Sequence, residues 1–224
     1  MKEATISADV VKSTSLNKER MILLQRYLGE YVADFPHRFP GSWGRVVRGD
    51  GLEFVISDSR NALLAAVDLK CYIKTLIFDP QSDWHRKTRC CGNNLDIRVS
   101  VGVGGLRTND QTAGIIDGEA IYQSGRNLER MSRTTFAIAS PDTQYTGMLN
   151  AIFSLIGFIL ENATPKQCEA IRMKISGMEE SEIAASLSIS TQAAYTLLQK
   201  SGWRAMSPAL KSFSELDISG GIEK

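Results

Sequence analysis

Two acidic residues stand where the N-terminal half of the sequence otherwise predicts short strands and a turn. Asp9 lies near the end of the apolar run "ATISADVV", and Asp50 lies in the "GDG" turn between two β-rich runs. If the first strand lies beside that hairpin, the two carboxylates meet at one sheet edge. Such a pair suits Mg²⁺ or Mn²⁺, because Mg²⁺ favours one or two carboxylates together with phosphates. Each acid also has an ordinary explanation, as a helix cap or as the acid of an Asp-Gly turn.

The segment that follows Asp9 has the composition of a phosphate-binding turn. "VVKSTS" passes from a strand into a helix, so free backbone N–H groups and hydroxyls are available there. Lys12 adds a positive charge, and Ser13 and Thr14 add hydroxyl donors. We therefore expect Lys12, Ser13 and Thr14 to contact a phosphate.

The elements that must position these residues follow from hydrophobic periodicity. The spacing predicts the order β, α, β, β, α, β, α, β, with a hairpin at Gly49–Gly51 and a helix capped by Ser15 or Asn17. This order indicates an α+β, ferredoxin-like sheet with helices. The polar segment "DPQSDWHRKTRCCGNN" reads as an exposed loop.

The texture of the chain changes after Tyr145. The stretch "MLNAIFSLIGFIL" is 13 residues long, short of the ~20 that span a bilayer, and predicts a buried helix or an oligomer contact. No convincing strand follows it. We therefore expect a first domain over 1–145, an apolar linker helix over 146–163, a small all-α domain over 164–213 and a flexible tail over 214–224.

Composition limits the classes of partner and the compartment. A net charge of +1 gives no chain-wide field that would attract nucleic acid or a membrane, so such a partner must be met locally. The four cysteines lack the spacing of a zinc site and read as reduced thiols. Because the start of the chain lacks the features of a secretory signal, we expect a cytoplasmic protein without a membrane contact.

Four short blocks in the first domain resemble the class III nucleotidyl cyclases. They occur in the family's order across residues 5–131 and are "SADVVKSTSL", "RGDG", "RVSVGVGG" and "GEAIYQSGR". The resemblance implies that Asp9 and Asp50 bind the metal and that Arg126 steadies the transferred phosphate. Read without the resemblance, Arg126 belongs to an ordinary solvated helix face. The same blocks also look like the SatD family, relatives with the cyclase fold.

Two positions depart from the cyclase pattern. Tyr122 stands where the family has an asparagine, and Val46 stands where it has the lysine that reads the base. Neither replacement can make the same hydrogen bonds to a purine. This favours a domain that binds a nucleotide or phosphate ligand over one that turns it over.

The C-terminal segment has the pattern of a helix-turn-helix. Thr164 with Pro165, Ser181 and Ser190 are the expected caps of three short helices, and "SIS" is the tight turn between the last two. The segment "TPKQCEAI…EIAASLSIS" is similar to the DNA-binding domains of LuxR-type regulators and to sigma-factor region 4.

That second resemblance implies a set of contacts with double-stranded DNA. Thr191, Gln192 and Tyr195 would face bases, and Lys200 and Arg204 would contact phosphates. Residues 164–213 contain six Lys and Arg against four Glu, which is a small excess of positive charge for a DNA-binding domain. The alternative is a helical bundle that packs on the first domain or dimerises.

Three functions are compatible with these patterns. The preferred one is a homodimeric transcription regulator in which a degenerate cyclase-like domain binds a nucleotide with Mg²⁺ or Mn²⁺ and controls the helix-turn-helix. The alternative is an active nucleotidyl cyclase that forms a 3′,5′-cyclic product from a nucleoside triphosphate. The third is a dimeric scaffold that keeps both motif sets as relics.

Overall fold

A computed structural model of the chain describes residues 3–76, 95–141 and 143–216, with the side chains of 143–145 left out. The polar loop expected over 79–94, with Cys90 and Cys91, and most of the expected tail lie outside the described residues. The other two cysteines, Cys71 and Cys168, are buried free thiols.

Within the described residues, five strands form the main sheet. They are β1 (Ala4–Val11), β2 (Trp43–Val47), β3 (Gly51–Ile56), β4 (Asp96–Val103) and β7 (Phe136–Ala139), in the spatial order β2-β3-β1-β4-β7. All neighbours are antiparallel except β4 and β7, which are parallel. Two further strands, β5 (Leu106–Asp110) and β6 (Ile115–Gly118), form a separate antiparallel hairpin.

The strand order confirms the predicted α+β class. β1 and β2 are joined through a helix and lie on either side of β3, which is the split βαβ arrangement of the ferredoxin-like plan. The hairpin turn between β2 and β3 falls at Arg48–Asp50, where Gly49 has a φ of +86° that only glycine adopts without strain. The β5–β6 hairpin was not predicted.

Eight helices of at least seven residues accompany the strands in the described ranges. They are α1 (Lys18–Arg38), α2 (Ala62–Thr75), α3 (Glu119–Arg130), α4 (Thr143–Asn162), α5 (Pro165–Ile175), α6 (Glu180–Ser186), α7 (Thr191–Lys200) and α8 (Trp203–Glu215). Asn17 caps α1 by accepting from the backbone N–H of Arg20, so of the two predicted caps Asn17 is confirmed. As predicted, no strand follows Met148 within the described residues.

Alternation along β1 separates the two faces of the sheet. Thr5 and Ser7 face α3, since their hydroxyls lie 3.0 and 2.8 Å from the Ser124 hydroxyl. Ile6 pairs with Phe54 on the opposite face, where Phe54 contacts the ring of Tyr31 in α1. Asp9, in the same alternation as Thr5 and Ser7, therefore belongs to the face covered by α3.

Gly102 lets α3 approach the sheet closely. A Cβ at this position of β4 would lie 2.1 Å from the carbonyl oxygen of Ala120, which is backbone and cannot move aside. The glycines of "VGVGGL" thus include one that serves helix packing, in addition to those at the strand end.

The C-terminal helices pack on the first domain rather than standing apart from it. Phe153 of α4 stacks on Phe136 of β7, with ring centroids 5.1 Å apart, and Phe213 of α8 lies 6.0 Å from Phe153. One hydrophobic core therefore runs from β1 to α8. A second, smaller core joins α5, α6 and α7 and consists of Ala170, Ile183, Ala184, Ala194 and Leu198. Within the described ranges, no helix is both long and apolar enough to cross a bilayer.

Two of the three predicted caps of the C-terminal helices are confirmed. Thr164 forms a capping box with Gln167, and Ser190 accepts from the backbone N–H of Ala193. The predicted cap at Ser181 is wrong, because α6 begins two residues earlier in a capping box between Glu179 and Glu182. The helix that Ser190 caps, α7, ends at Lys200, and α8 follows it.

Asp68 of α2 joins the two parts of the chain. Its carboxylate is fully buried and accepts from Tyr31 Oη at 2.9 Å and from the Nε atoms of Arg38 and Arg172, each at 3.1 Å. Tyr31 and Arg38 belong to α1, whereas Arg172 belongs to α5. Burial and the adjacent carboxylate raise the pKa of Tyr31 well above its ordinary value, so the hydroxyl keeps the proton that it donates.

We predict that Asp68→Ala strongly destabilises the whole chain. The substitution leaves two guanidinium groups without their buried partner, which costs about 3–5 kcal/mol of unfolding free energy. Chemical denaturation measures this loss. Asp34→Ala is the matched control on α1: its side chain is 58% exposed, and it should change stability by no more than about 0.5 kcal/mol. Equal effects of the two substitutions would contradict the prediction.

Candidate functional site at the end of strand β1

The register of the sheet brings the two predicted acids to one edge. Asp9 lies directly opposite Gly51 of β3, so Asp50 is the next residue along from its partner. On the other side, Asp9 lies opposite Arg98 of β4. The turn that carries Asp50 and the end of β1 therefore meet beside the start of β4.

The carboxylate of Asp9 is held by Arg98. Arg98 Nε donates to Asp9 Oδ1 at 2.8 Å, and Arg98 Nη2 donates to Oδ2, which makes a two-point ion pair. Arg98 Nη1 donates to the carbonyl oxygen of Met131 at 2.7 Å, just after α3. Because Arg98 is anchored at a strand and at a helix end, it fixes the direction in which Asp9 points.

Asp50 is held by the turn that follows β1. The hydroxyl of Ser13 donates to Asp50 Oδ2, and Ser13 is buried. Ser13 belongs to a short 3₁₀ turn, Ser13–Ser15, that begins after Lys12 in the left-handed conformation, with φ at 59°. Lys12 and Thr14 are exposed on either side of Ser13. In the segment predicted to bind phosphate, the Ser13 hydroxyl therefore donates to Asp50, whereas Lys12 and Thr14 are exposed to solvent.

The edge carries two carboxylates and one guanidinium within a small space. Hydrogen bonding to Asp9 raises the pKa of Arg98 above its usual value; the charges of Asp9 and Asp50 add to this effect, and partial burial opposes it. About a third of each partner in the Asp9–Arg98 pair is exposed, at 29% and 33% of the side chain. Solvent and ligands therefore reach the pair from outside.

The donor set of this edge fits a divalent cation that also carries a phosphate ligand. A carboxylate has about four lone-pair positions, and Arg98 occupies two of those on Asp9, whereas Ser13 occupies one on Asp50. Mg²⁺ needs no more than one or two carboxylates when phosphate and water complete its shell. Within the described ranges, no group of three or more His, Cys, Asp or Glu is placed to hold a metal by protein ligands alone.

Arg126 lies away from this edge. It is exposed on α3, and its guanidinium carbon lies 5.8 Å from the ring centroid of Tyr122. Tyr122 is 49% exposed and donates its hydroxyl to Asp117, which also binds Arg107. Val46, in the position of the cyclase lysine, is likewise exposed, on the edge strand β2. Among the described residues of one chain, Arg126 forms no ion pair with Asp9 or Asp50.

The predicted DNA-contacting residues lie on α7 and at the start of α8. Thr191 and Gln192 are exposed in the first turn of α7, and Lys200 is exposed in its last turn. Tyr195 is half-buried, because Arg204 stacks on its ring at 4.2 Å and donates to its hydroxyl at 2.9 Å. The four residues 187–190 separate α7 from α6, and Ser188 among them has a φ of 53°.

Two partners of the site were missed at the sequence level. From the sequence alone, Arg98 belongs only to a strand motif, and Ser13 is predicted only to donate a hydrogen bond to a phosphate. The signal for Arg98 is its position in a strand antiparallel to β1, which places it opposite Asp9 once the register is known. The signal for Ser13 is weaker, because nothing local marks the left-handed turn at Lys12.

Comparisons with known proteins add a fold likeness and no family. No family model matches the chain, and no curated protein matches it. Among solved structures, the chain is similar to a dimeric guanylyl cyclase domain of the RhoGC fusion protein from the aquatic fungus Blastocladiella emersonii. The identity is 17% and the TM-score 0.46, over 65% of this chain and 82% of that one. A likeness at this level says nothing about the activity of this chain.

Proposed function

We propose that the chain is a DNA-binding transcription regulator whose first domain binds a nucleotide or another phosphate ligand together with Mg²⁺ or Mn²⁺. The observation that carries the proposal is the ion pair between Asp9 and Arg98 beside Asp50. It puts a cation that favours phosphate next to two carboxylates that favour a metal. Binding needs this combination, whereas turnover also needs a group that stabilises the transferred phosphate.

The position of Arg126 supports a binding role over a catalytic one. Its guanidinium group stacks near Tyr122 on the solvent side of α3, and Tyr122 itself is tied to Asp117. Within one chain, these contacts of Arg126 favour ligand binding at the edge over turnover. The domain is suited to hold a ligand.

In the proposed regulator, α6 and α7 form the DNA-binding unit. These two short helices pack on α5 through one small core, and the first turn of α7 is open to solvent. Of the six cations in residues 164–213, Arg172 is paired with Asp68, and Lys174 binds the Met178 carbonyl oxygen with Glu179 nearby. The four exposed cations are Lys166, Lys200, Arg204 and Lys211.

We predict weak, salt-sensitive binding of the full chain to duplex DNA. If Lys200 and Arg204 are the phosphate contacts, the logarithm of affinity should fall with the logarithm of salt concentration with a slope of about −2 per chain. Fluorescence anisotropy of a labelled mixed-sequence duplex measures this slope. Lys200→Ala should reduce its size by about 1, as should Arg204→Ala, whereas Lys18→Ala on α1 should not. A slope near zero, or one that Lys18→Ala changes as much, would exclude this surface.

The metal part of the proposal predicts opposite effects for the two partners of the ion pair. Arg98→Gln removes the positive charge that competes for Asp9, so Mn²⁺ alone should bind roughly tenfold more tightly. Asp9→Asn removes a ligand and should weaken Mn²⁺ binding by at least the same factor. Titration followed by electron paramagnetic resonance of free Mn²⁺ measures both.

Arg60→Gln is the matched control for the charge change. Arg60 pairs with Asp58 in the Ser59–Asn61 turn, outside the β1 edge, so its loss should leave Mn²⁺ affinity unchanged. If Arg98→Gln and Arg60→Gln alter Mn²⁺ affinity equally, the effect comes from net charge and the metal is not at Asp9.

A nucleotidyl cyclase is the second candidate, favoured by the meeting of Asp9 and Asp50 at one edge. In that reaction the ribose 3′-oxygen attacks the α-phosphorus, the bond to the β-phosphate oxygen breaks, and pyrophosphate leaves. We expect no cyclic product when the purified chain is incubated with each of the four ribonucleoside triphosphates and Mn²⁺. If the wild type forms a cyclic product and Asp9→Ala does not, the edge has a catalytic role rather than a binding role.

A further inference from the structure

Helix α4 has a buried apolar stripe that holds it to the rest of the chain. Leu149, Phe153, Ile156 and Leu160 follow one another at spacings of four, three and four residues, and each is at most 3% exposed. This is the spacing at which helix positions share one face. The stripe packs on β7 and α8, since the ring of Phe153 stacks on Phe136 and lies at a tilt to the ring of Phe213.

A second apolar stripe runs along another face of the same helix and is open to solvent. Met148, Ala151, Leu155 and Phe158 follow at spacings of three, four and three residues, and the three large side chains are 62%, 67% and 65% exposed. The other five large hydrophobic residues with high exposure in the described part of the chain lie singly, such as Ile22 on α1 and Leu216 after α8. On α4, by contrast, exposed apolar residues recur along one face of the helix.

We propose that this second stripe is the contact between two copies of the chain, paired about a two-fold axis through α4. A helix with apolar residues around most of its circumference belongs in an interior, yet the described part of the chain covers only one side of α4. The alternation of three and four is that of the a and d positions of a helix pair. Two identical helices satisfy it with each other because a two-fold contact uses the same patch on both partners.

The charge of α4 favours a second copy over other occupants. Between Thr143 and Asn162 the helix has a single charged residue, Glu161, and no Lys or Arg. Two copies therefore meet without like charges along the stripe. An interfacial helix on an anionic lipid surface relies instead on Lys and Arg of its polar face, which α4 lacks.

The size of the stripe predicts a reversible dimer. Three large side chains that are about two-thirds exposed amount to roughly 300–400 Å² on each copy, which is the size of an apolar patch with a function. Twice that area falls below the ~1,200 Å² of a standard stable interface, so association should depend on concentration in the micromolar range.

Pairing through α4 also places the two C-terminal units relative to each other. α4 continues into α5 through Ala163 and the cap Thr164, and α5 is packed against α6 and α7. A dimer would therefore fix the separation of the two α7 helices, which in a two-fold DNA reader sets the half-site spacing. This last consequence rests on the proposed function, whereas the dimer itself does not.

Sedimentation velocity of the full chain, from about 1 to about 100 µM, tests the proposal. The wild type should shift from 24.7 kDa toward twice that mass as the concentration rises. Leu155→Glu should remain at 24.7 kDa because it places two carboxylates in the seam. Ile22→Glu is the matched control, since Ile22 is 58% exposed on α1 rather than on the stripe, and it should dimerise like the wild type.

Phe158→Glu, with far-UV circular dichroism of each variant, guards against a folding artefact, since both replaced side chains are already mostly exposed. Two results would overturn the proposal: a wild type that stays monomeric over the whole range, or a dimer that neither Leu155→Glu nor Phe158→Glu weakens. If the wild type forms the dimer but does not bind DNA, the result would count against the proposed function alone.

Discussion

Both parts of the chain depend on the hydrogen bonds that the buried carboxylate of Asp68 accepts. It accepts hydrogen bonds from Tyr31, Arg38 and Arg172, so it ties α1, α2 and α5 together at a point without solvent. A buried charge is tolerated only where partners replace the lost water. Separation of α5 from the first domain would leave Asp68 with a weaker set of partners. The C-terminal helices are therefore held in one position on the sheet domain.

Helix α2 has two neighbours as a result, the sheet on one side and the C-terminal helices on the other. Lys70 reaches toward the sheet and donates to Asp96 and to the Ile97 carbonyl oxygen, whereas Lys74 donates to the carbonyl oxygens at the end of α4. Burial lowers the pKa of Lys70, and the Asp96 carboxylate opposes that shift. β4, which supplies Arg98 to the site, thus begins beside the helix that contacts α5. β4 and the C-terminal helices are therefore linked through contacts of α2.

The sequence predicted the main sheet because its signals are local: alternating residues in β1, a glycine turn before β3 and helical spacing in α1. The β5–β6 hairpin lacked such signals, since β5 is polar and β6 has only four residues. The hairpin is held by distant contacts, from Trp43 Nε1 to Asn109 and from Arg45 to the Gly114 carbonyl oxygen. The partners of the site depend on register in the same way. Arg98 faces Asp9 only through strand pairing, and Asp68 looks like a surface acid until α5 covers it. Long-range packing, which periodicity does not encode, decided each of these.

The proposed function requires coupling between ligand binding at the β1 edge and DNA binding by the C-terminal helices. It is tested most directly by measuring duplex affinity with and without a saturating nucleoside triphosphate and Mn²⁺, in the wild type and in Asp9→Asn. The account predicts that the ligand changes the affinity of the wild type at least about fivefold and leaves Asp9→Asn unchanged, with a reciprocal effect of DNA on nucleotide affinity. Equal duplex affinity in the presence and absence of bound nucleotide would contradict it.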